Sequence, residues 1–302
     1  MNRVSELLLA WYERYGRTHL PWRETRDPYS IIVSEFMLQQ TQVERVLPKY
    51  QAFVAAFPDL RALAAAGTDD VIRLWQGLGY NSRAVRLQRL AREVVERYDG
   101  VVPRDPAALR DLPGIGPYTV AAVQAFAFED RAAAMDTNIR RVVHRVLHGL
   151  EVPSKIPDAR IDAEALEIVP HDRAHDWNSA MMDLGSQICT ARAPKCLICP
   201  LASVCAAAPV DPAQLEQLRK THAPARSPQE RIPFEKTTRF ARGRIVDALR
   251  TLPAGRKISL LDLHEQLQGV IGRERDEFGA IVRALERDGI IETDEGKVGL
   301  AR

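Results

Sequence analysis

The four cysteines of the chain are the residues whose spacing points most directly to chemistry. They are Cys189, Cys196, Cys199 and Cys205, in the pattern C-x6-C-x2-C-x5-C, and the 302-residue sequence holds no others. Four thiolates brought to one centre repel each other until a cation neutralises them, so the pattern predicts a metal centre rather than disulfides. Structural zinc sites usually pair two short C-x2–4-C knuckles. A cubane iron–sulfur cluster accepts unequal spacing, and spacing alone leaves both kinds of site open.

Two carboxylates stand in sequence contexts that suit acid–base chemistry. Glu35 lies in the apolar segment SIIVSEFML, which predicts a partly buried helix, and burial raises a carboxyl pKa so that a proton is kept for donation. Asp136 precedes the run TNIRRVVHRV, where it can cap a helix and stay ionised near a developing cation. A buried structural glutamate and a plain N-cap are the alternatives. A proton donor and a cation stabiliser are the pair that glycoside hydrolysis uses.

A glycine turn in LRDLPGIGPYTVAAV, residues 109–123, predicts two short helices joined by a hairpin. Gly114 and Gly116 permit backbone conformations that other residues avoid, and they expose N–H groups at the start of the second helix. Such groups, helped by the helix dipole, bind a phosphate without reading a base. A glycine turn by itself is more often a plain connection between helices.

These motifs together resemble the MutY family of adenine DNA glycosylases, in the helix-hairpin-helix, endonuclease III-like superfamily. The resemblance is carried by SEFMLQQTQV at 34–43, LPGIGPYT at 112–119 followed by Asp136, LPWR at 20–23 and the cysteine spacing. It implies one [4Fe-4S] cluster on the four cysteines, in preference to zinc. It also implies that Glu35 protonates the leaving base and that Asp136 stabilises the cationic sugar, assisted by Tyr118 and Asn138.

Tyr118 indicates which reaction to expect. In the endonuclease III branch of the superfamily a lysine stands at this position, attacks the sugar and cleaves the strand through a Schiff base. Tyrosine cannot form a Schiff base. We therefore predict a monofunctional glycosylase that leaves an intact abasic site.

The resemblance also implies which residues touch double-stranded DNA, because the target base must be turned out of the duplex. The segment LWQGLGYNSRAVRL at 74–87 resembles the family loop that wedges into the base stack. Leu78, Tyr80 and Gln40 are the wedge candidates, with core packing as the alternative for Leu78. The other candidate DNA contacts are Thr41, Gly114, Ile115, Gly116 and Thr119, and the candidates for the base pocket are Trp22, Arg23 and Ser179.

Two features depart from the usual MutY pattern. Ser179 lies where many relatives carry Glu or Gln, and serine is a poorer partner for the edge of adenine. We do not expect residues 210–302 to form the usual Nudix-like C-terminal domain, which recognises 8-oxoguanine. A thymine or uracil mismatch glycosylase on the same scaffold is therefore an alternative. An iron–sulfur winged-helix regulator is an alternative of another class, but it would not need Glu35, Asp136 and Tyr118 in this pattern.

The elements that must position these residues are predicted to be almost entirely helical. We expect an all-α glycosylase core at 1–209, made of a six-helix barrel at 26–130 and an iron–sulfur unit from 1–25 and 131–209. The proline-rich, charged segment 210–237 predicts a linker. Residues 238–302 predict three helices closed by a β-hairpin, a small winged-helix-like domain. As a hypothesis, this domain grips DNA regardless of sequence through Arg239, Arg242 and Arg244.

The amino-acid composition indicates the class of protein but does not indicate its binding partners. The chain is 46% hydrophobic and 27% charged, as expected of a soluble globular protein. It has no apolar run long enough for a membrane span and no secretory signal at its start, so we expect a cytoplasmic, nucleoid-associated protein. A net charge of +2 does not indicate whether the protein binds nucleic acid. The expected partner is duplex DNA with a mismatched or oxidised base pair, bound by a monomer.

Overall fold

Helices account for most of the computed structural model, which describes residues 2–152, 154, 156–222 and 232–302. In chain order they are α1 Arg3–Tyr15, α2 Pro21–Glu24, α3 Pro28–Leu38, α4 Val43–Ala56, α5 Leu60–Ala65, α6 Thr68–Leu74, α7 Ser82–Tyr98, α8 Pro106–Asp111, α9 Pro117–Phe126, α10 Thr137–His148, α11 Asp158–Ile168, α12 Ala174–Gln187, α13 Pro212–Thr221, α14 Thr238–Arg250, α15 Leu260–Ile271 and α16 Arg275–Arg287. The short strands β1 Ile258–Ser259, β2 Ile291–Asp294 and β3 Lys297–Leu300 lie in the C-terminal part. The predicted all-α core with a small winged-helix-like domain is confirmed.

The described chain divides into two compact units. The first contains residues 2–32, 104–111 and 115–222, and the second contains 33–103, 112–114 and 232–302. These units divide the chain differently from the predicted domains, whose bounds stay a prediction: residues 26–32, 104–111 and 115–130 of the predicted barrel lie in the first unit. Helix α9 belongs to the first unit, because its Ala125 packs into that core. The C-terminal residues belong to the second unit, because Ile72 and Val85 pack into their core.

The first unit is built around the apolar faces of α1, α10 and α12. On α10 the buried residues Ile139, Val142, Val143 and Val146 recur at the i, i+3, i+4, i+7 spacing of an amphipathic helix. They pack with Trp177 of α12, which is fully buried. This packing fixes the first turn of α10, where Asp136 and Asn138 lie.

The segment expected to be a linker, 210–237, contains helix α13. Asp211 caps its start by accepting a hydrogen bond from the Ala213 N–H, and Leu215 is fully buried. Arg219 pairs with Glu151 at 2.7 Å. This part of the segment is therefore packed on the first unit, and residues 223–231 lie outside the described residues.

Helix α7 is the long amphipathic helix of the second unit, with Leu87, Leu90, Ala91 and Val94 buried at helical spacing. Its N-terminus follows the loop 77–81 directly. The position of that loop is therefore set by how α7 packs.

The C-terminal residues 232–302, which we call the C-terminal module, contain three helices and an antiparallel sheet of strand order β1-β3-β2. Glu295 and Gly296 form the turn between β2 and β3, with φ values of 47° and 76°, as a two-residue hairpin of type I′ requires. The module packs on α6 and α7 through Ile72 and Val85. Arg250 strengthens this contact, because its guanidinium donates to the Ile72 carbonyl at 2.9 Å.

None of the described helices combines the length and the apolar composition that crossing a bilayer demands.

Candidate active site and iron–sulfur loop

Asp136 lies at the N-cap of α10, as its sequence context predicts. Its Oδ1 accepts hydrogen bonds from the backbone N–H groups of Asn138 at 2.9 Å and Ile139 at 2.7 Å. Its Oδ2 accepts from the Asn138 side-chain amide at 2.8 Å. All three partners are donors, and the positive end of the helix dipole lies beside the carboxylate. The side chain is thus fixed in one orientation and only half-buried.

Asn138 connects Asp136 to the loop that carries the cysteines. Its side-chain Oδ1 accepts a hydrogen bond from Arg141 Nη2 at 3.0 Å, and Arg141 Nε donates to the Cys189 carbonyl at 2.9 Å. Gly185 makes this approach possible, since a Cβ there would lie 2.8 Å from the Cβ of Asn138. In this structure Asn138 positions the aspartate, whereas its predicted assistance in catalysis stays a prediction.

Arg141 was not among the predicted site residues. Burial lowers the pKa of its guanidinium, and the neighbouring Cys189 thiol opposes that effect. The spacing of three residues from Asn138 on one helix is the sequence signal that could have indicated their contact.

Tyr118 lies on α9 and is partly buried against Ile31, Ala122 and Ala134. A cavity of about 330 Å³ is lined by Tyr118 and by Met135, the residue before Asp136. Tyr118 and the segment that leads to Asp136 therefore share one part of the first unit.

Glu35 lies on α3 and is only 6% exposed, between Ser34 at 1% and Phe36 at 1%. The predicted location on a buried helix is thus what the structure has. Glu35 belongs to the second unit and Asp136 to the first.

The wedge candidates Gln40 and Tyr80 are both exposed, and both have positive φ values of 55° and 45°. Non-glycine residues seldom adopt this left-handed conformation, which costs energy and tends to occur at functional sites. Leu78 is only 5% exposed. This burial favours the alternative of core packing for Leu78, whose role as a wedge residue stays a prediction, whereas Tyr80 projects. We call residues 77–81 the wedge loop.

Arg83, at the start of α7, holds the wedge loop and the end of α3 together. It is 4% exposed, and its described partners are neutral oxygen atoms rather than carboxylates. The acceptors are the carbonyls of Phe36 at 2.8 Å, Met37 at 3.1 Å, Gln39 at 2.6 Å, Leu78 at 2.9 Å and Gly79 at 3.1 Å, and Thr41 Oγ1 at 3.3 Å. Burial lowers the pKa of Arg83 to about 10. Arg83 was not among the predicted site residues, and Thr41 was predicted only as a DNA contact.

The two glycines of the hairpin differ in their backbone conformation and in the space around them. Gly114 has a φ of +81°, and a Cβ there would lie 2.9 Å from Cζ of Phe36, so glycine is required. Gly116 is the N-cap of α9 with a φ of −102°, an ordinary value, and its nearest neighbour would be 3.7 Å away. The prediction of a special backbone at Gly116 is therefore wrong.

The side chains of Ile115 and Thr119 are 6% and 3% exposed. Neither side chain is presented to solvent, because both pack inward. Any contact that they make with DNA is restricted to their backbone groups, and this role stays a prediction.

Of the predicted base-pocket residues, Trp22 and Ser179 are buried, with Ser179 at 0% exposure. Arg23 is of intermediate burial, and its side chain is 7% exposed. Arg23 donates to both oxygens of Asp183, at 2.8 and 2.9 Å. Burial raises the pKa of the Asp183 carboxyl, but the hydrogen bonds and charge of Arg23 outweigh burial and lower it. Arg23 thus holds α2 to α12, and a role of these residues in a base pocket stays a prediction.

The four cysteines line a single cavity in the first unit. Within the described residues, no three His, Cys, Asp or Glu side chains are grouped closely enough to hold one metal ion, as a tetrahedral zinc would require. Burial raises the pKa of the Cys199 thiol to about 11 and also raises that of the Cys205 thiol, so a cationic group beside them would favour their ionisation. Four thiols spread around one cavity fit a multi-iron cluster.

The cluster loop, residues 189–205, is held to α10 by Arg145, which is 1% exposed. Arg145 forms a bidentate pair with Glu151 at 2.7 and 2.8 Å. It also donates to the Thr190 carbonyl at 2.9 Å and approaches Cys189 Sγ at 3.5 Å. Burial lowers the pKa of Arg145, but the partners Glu151 and Cys189 outweigh burial and raise it.

Comparison with family models identifies both parts of the site. Residues 33–168 match the HhH-GPD superfamily of base excision DNA repair proteins. Residues 189–205, from the first to the last of the four cysteines, match the iron–sulfur binding domain of endonuclease III. The cofactor is therefore one [4Fe-4S] cluster held by Cys189, Cys196, Cys199 and Cys205.

Solved structures of this superfamily share the fold. A thermostable thymine-DNA glycosylase matches with a TM-score of 0.62 and 33% identity, over 67% of this chain and 93% of its own. Endonuclease III in a non-covalent DNA complex matches with a TM-score of 0.59 and 21% identity, over 71% and 95%.

Curated relatives extend the match to nearly the whole chain. The adenine DNA glycosylase of Mycolicibacterium smegmatis is 39% identical over 301 residues, covering 97% of this chain and 94% of the relative. That of Mycobacterium tuberculosis is 42% identical over 246 residues, covering 80% and 77%. The human protein is 40% identical, covering 66% and 38%. Since the first match extends into the C-terminal module, that module also occurs in relatives. The chain belongs to the adenine DNA glycosylase family, within the HhH-GPD superfamily of base excision DNA repair proteins.

Proposed function

We propose that this protein is a monofunctional glycosylase that removes adenine mispaired with 8-oxoguanine or guanine from duplex DNA. It acts as a monomer, in the cytoplasm at the nucleoid. The observation that carries the proposal is the Asp136 carboxylate, which three donors fix at the start of α10. A carboxylate held rigidly in this way can stabilise a cationic sugar without reorganising during the reaction.

The proposed reaction divides the work between two carboxyl groups. Glu35 donates a proton to the adenine ring, the bond between the base and C1′ breaks, and its electron pair leaves with the base. Asp136 stabilises the cationic sugar that results. A water molecule then adds to C1′ and its proton passes to the Glu35 carboxylate, which restores the acid, so the products are free adenine and an abasic site.

Tyr118 determines that the strand stays intact. A covalent lyase reaction begins when an amine attacks C1′ and forms a Schiff base. The phenol of Tyr118 cannot take that role. Its position beside the segment leading to Asp136 suits it instead to contact the sugar or the water.

The [4Fe-4S] cluster supplies a rigid centre to which the loop folds, rather than a step in the reaction. One of its cysteine ligands, Cys189, is joined to α10 by the side chains of Arg145 and Arg141. Through Asn138 this attachment supports the orientation of Asp136.

Removal of thymine opposite guanine is the second candidate, since the chain is 33% identical to a thermostable thymine-DNA glycosylase. The adenine glycosylase relatives are more similar, at 39% and 42%. The buried Ser179, in place of a longer polar side chain, leaves the preference for adenine to be tested directly.

Single-turnover base release separates these candidates. Duplexes would carry A opposite 8-oxoguanine, A opposite guanine, T opposite guanine or U opposite guanine, and each sample would be split and analysed with and without alkali. We expect release from the two adenine duplexes, with strand breaks only after alkali. Release of thymine or uracil alone would overturn the substrate, and strand breaks without alkali would overturn the monofunctional reaction.

A further inference from the structure

A groove of about 650 Å³ lies in the second unit, between the wedge loop and the C-terminal module. Neither the catalytic carboxylates nor the cluster contributes to it. Its wall on one side contains Gln40, Thr41 and residues 77–81, and on the other side residues of α14. The arginines that line it are Arg45, Arg239, Arg242, Arg244 and Arg250.

The charge of the groove is strongly unbalanced, because Asp247 is the acidic residue among its described lining residues. Arg244 and Arg250 both pair with Asp247, and Arg242 pairs with Asp288. Within the part of the chain that the structure describes, Arg239 has no such carboxylate partner and is exposed. A positive charge that solvent can reach is thus available in the groove.

Arg239 instead contacts the exposed wedge candidate. Its guanidinium carbon lies 3.9 Å from the centroid of the Tyr80 ring and 5.9 Å from that of Phe234. Phe234 packs edge-to-face on Phe240, with centroids 5.6 Å apart. Arginines interleaved with aromatic rings in a basic groove are typical of surfaces that bind nucleic-acid strands.

The contact also joins two distant parts of the sequence. Tyr80 follows α6, whereas Arg239 is on the first turn of α14, and Arg250 at the end of the same helix donates to Asn81 Oδ1 at 2.8 Å. Helix α14 therefore holds the wedge loop at two positions, one beside Tyr80 and one beside Asn81.

We infer that this groove is a binding site for the phosphodiester backbone of duplex DNA, in which Arg239 braces Tyr80 and donates its remaining N–H groups to a phosphate. The inference rests on the proposed function, since it takes duplex DNA as the substrate. It assigns to the C-terminal module a direct part in DNA binding, next to the wedge loop. An acidic protein is the competing occupant of the groove, and DNA-binding measurements on variants of Arg239 distinguish it from duplex DNA.

The test compares Arg239→Ala with Arg283→Ala, a matched control on the exposed face of α16 outside the groove lining. The probe is a fluorescein-labelled duplex with 2′-fluoro-2′-deoxyadenosine opposite 8-oxoguanine, which resists base release, and a second duplex without a mispair. Binding is measured by anisotropy at several salt concentrations. We expect Arg239→Ala to raise Kd about three- to tenfold on both duplexes and to reduce the salt slope by about one.

Two further variants separate the phosphate contact from the bracing of Tyr80. Arg239→Lys should restore the salt slope. The double variant Arg239→Ala with Tyr80→Ala should weaken binding by less than the product of the two single effects, because the two residues act together. Kd and salt slope equal to those of Arg283→Ala would overturn the inference and leave the groove to an acidic protein.

The same preparation distinguishes this inference from the proposed function. Suppose that wild-type protein released no adenine from a mispair, yet the Arg239 variants lost affinity as described. The proposed function would then be wrong, and the assignment of the groove to the DNA backbone would be retained. If adenine release were normal and Kd of the variants unchanged, the groove assignment alone would fail.

Discussion

The cluster loop and the wedge loop each contact a deeply buried arginine, but these two arginines are stabilised in opposite ways. Arg145 binds the Glu151 carboxylate as well as carbonyls of the cluster loop. Arg83 binds carbonyl and hydroxyl oxygens, without a carboxylate among its described partners. The pKa of Arg145 is accordingly raised and that of Arg83 is lowered to about 10.

This difference indicates what each arginine is for. A buried ion pair fixes the cluster loop strongly, and breaking it leaves a carboxylate without its main partner. A charge bound only by neutral dipoles contributes less to the free energy of folding. It still fixes the backbone conformation of two segments at once, and these are the segments that present Gln40 and Tyr80.

The largest expected effect comes from Arg145→Met. We expect the free energy of unfolding to fall by about 3 kcal/mol, because Glu151 loses its bidentate partner and, of the described residues, keeps the single ion pair with Arg219. The cluster loop should also lose its attachment, so the visible absorbance of the cluster per protein should fall. Urea denaturation and iron content measure the two effects. Full iron content and an unchanged free energy of unfolding would show that Arg145 does not hold the cluster loop in place.

Arg83→Met should affect stability less and DNA recognition more. Five carbonyls and one hydroxyl lose a donor, but no carboxylate is left unpaired, so we expect about 2 kcal/mol of destabilisation. Base release should fall about tenfold with the cluster intact, because the wedge loop is no longer fixed. Arg83→Lys serves as the charge-retaining control. Loss of iron from Arg83→Met would contradict the separation of the two loops.

The hairpin glycines are expected to change stability alone, and they test the packing of Gly114 against Phe36 near the end of α3. Gly114→Ala should lower the free energy of unfolding by about 2 kcal/mol, since its φ is positive and Phe36 lies against it. Gly116→Ala should cost about 0.5 kcal/mol or less. If urea denaturation gave equal decreases in the free energy of unfolding for both variants, the positive φ of Gly114 and its contact with Phe36 would not be what requires glycine there.

Features with a local origin were predictable from the sequence. The cysteine spacing indicated a metal centre, and Asp136 before an apolar-periodic run indicated the N-cap that the structure contains. Glu35 on a buried helix followed in the same way from its apolar neighbours.

Features that depend on residues distant in sequence were not predictable. Arg83 and Phe36 are 47 residues apart in the sequence, and Arg145 and Cys189 are 44 residues apart. No local sequence pattern therefore predicts either contact. The burial of Leu78 is decided by the same kind of packing. The attachment of the C-terminal module through Ile72 and Val85 likewise required the folded structure.

The central claim is that Asp136 acts through its negative charge, and Asp136→Asn tests this most directly. Asparagine caps a helix about as well as aspartate, so the start of α10 should be retained while the charge is removed. Single-turnover adenine release opposite 8-oxoguanine should fall at least about a hundredfold. Kd for the uncleavable 2′-fluoro duplex should change by less than about threefold, with full iron content. Release near the wild-type rate, at unchanged affinity, would contradict the account.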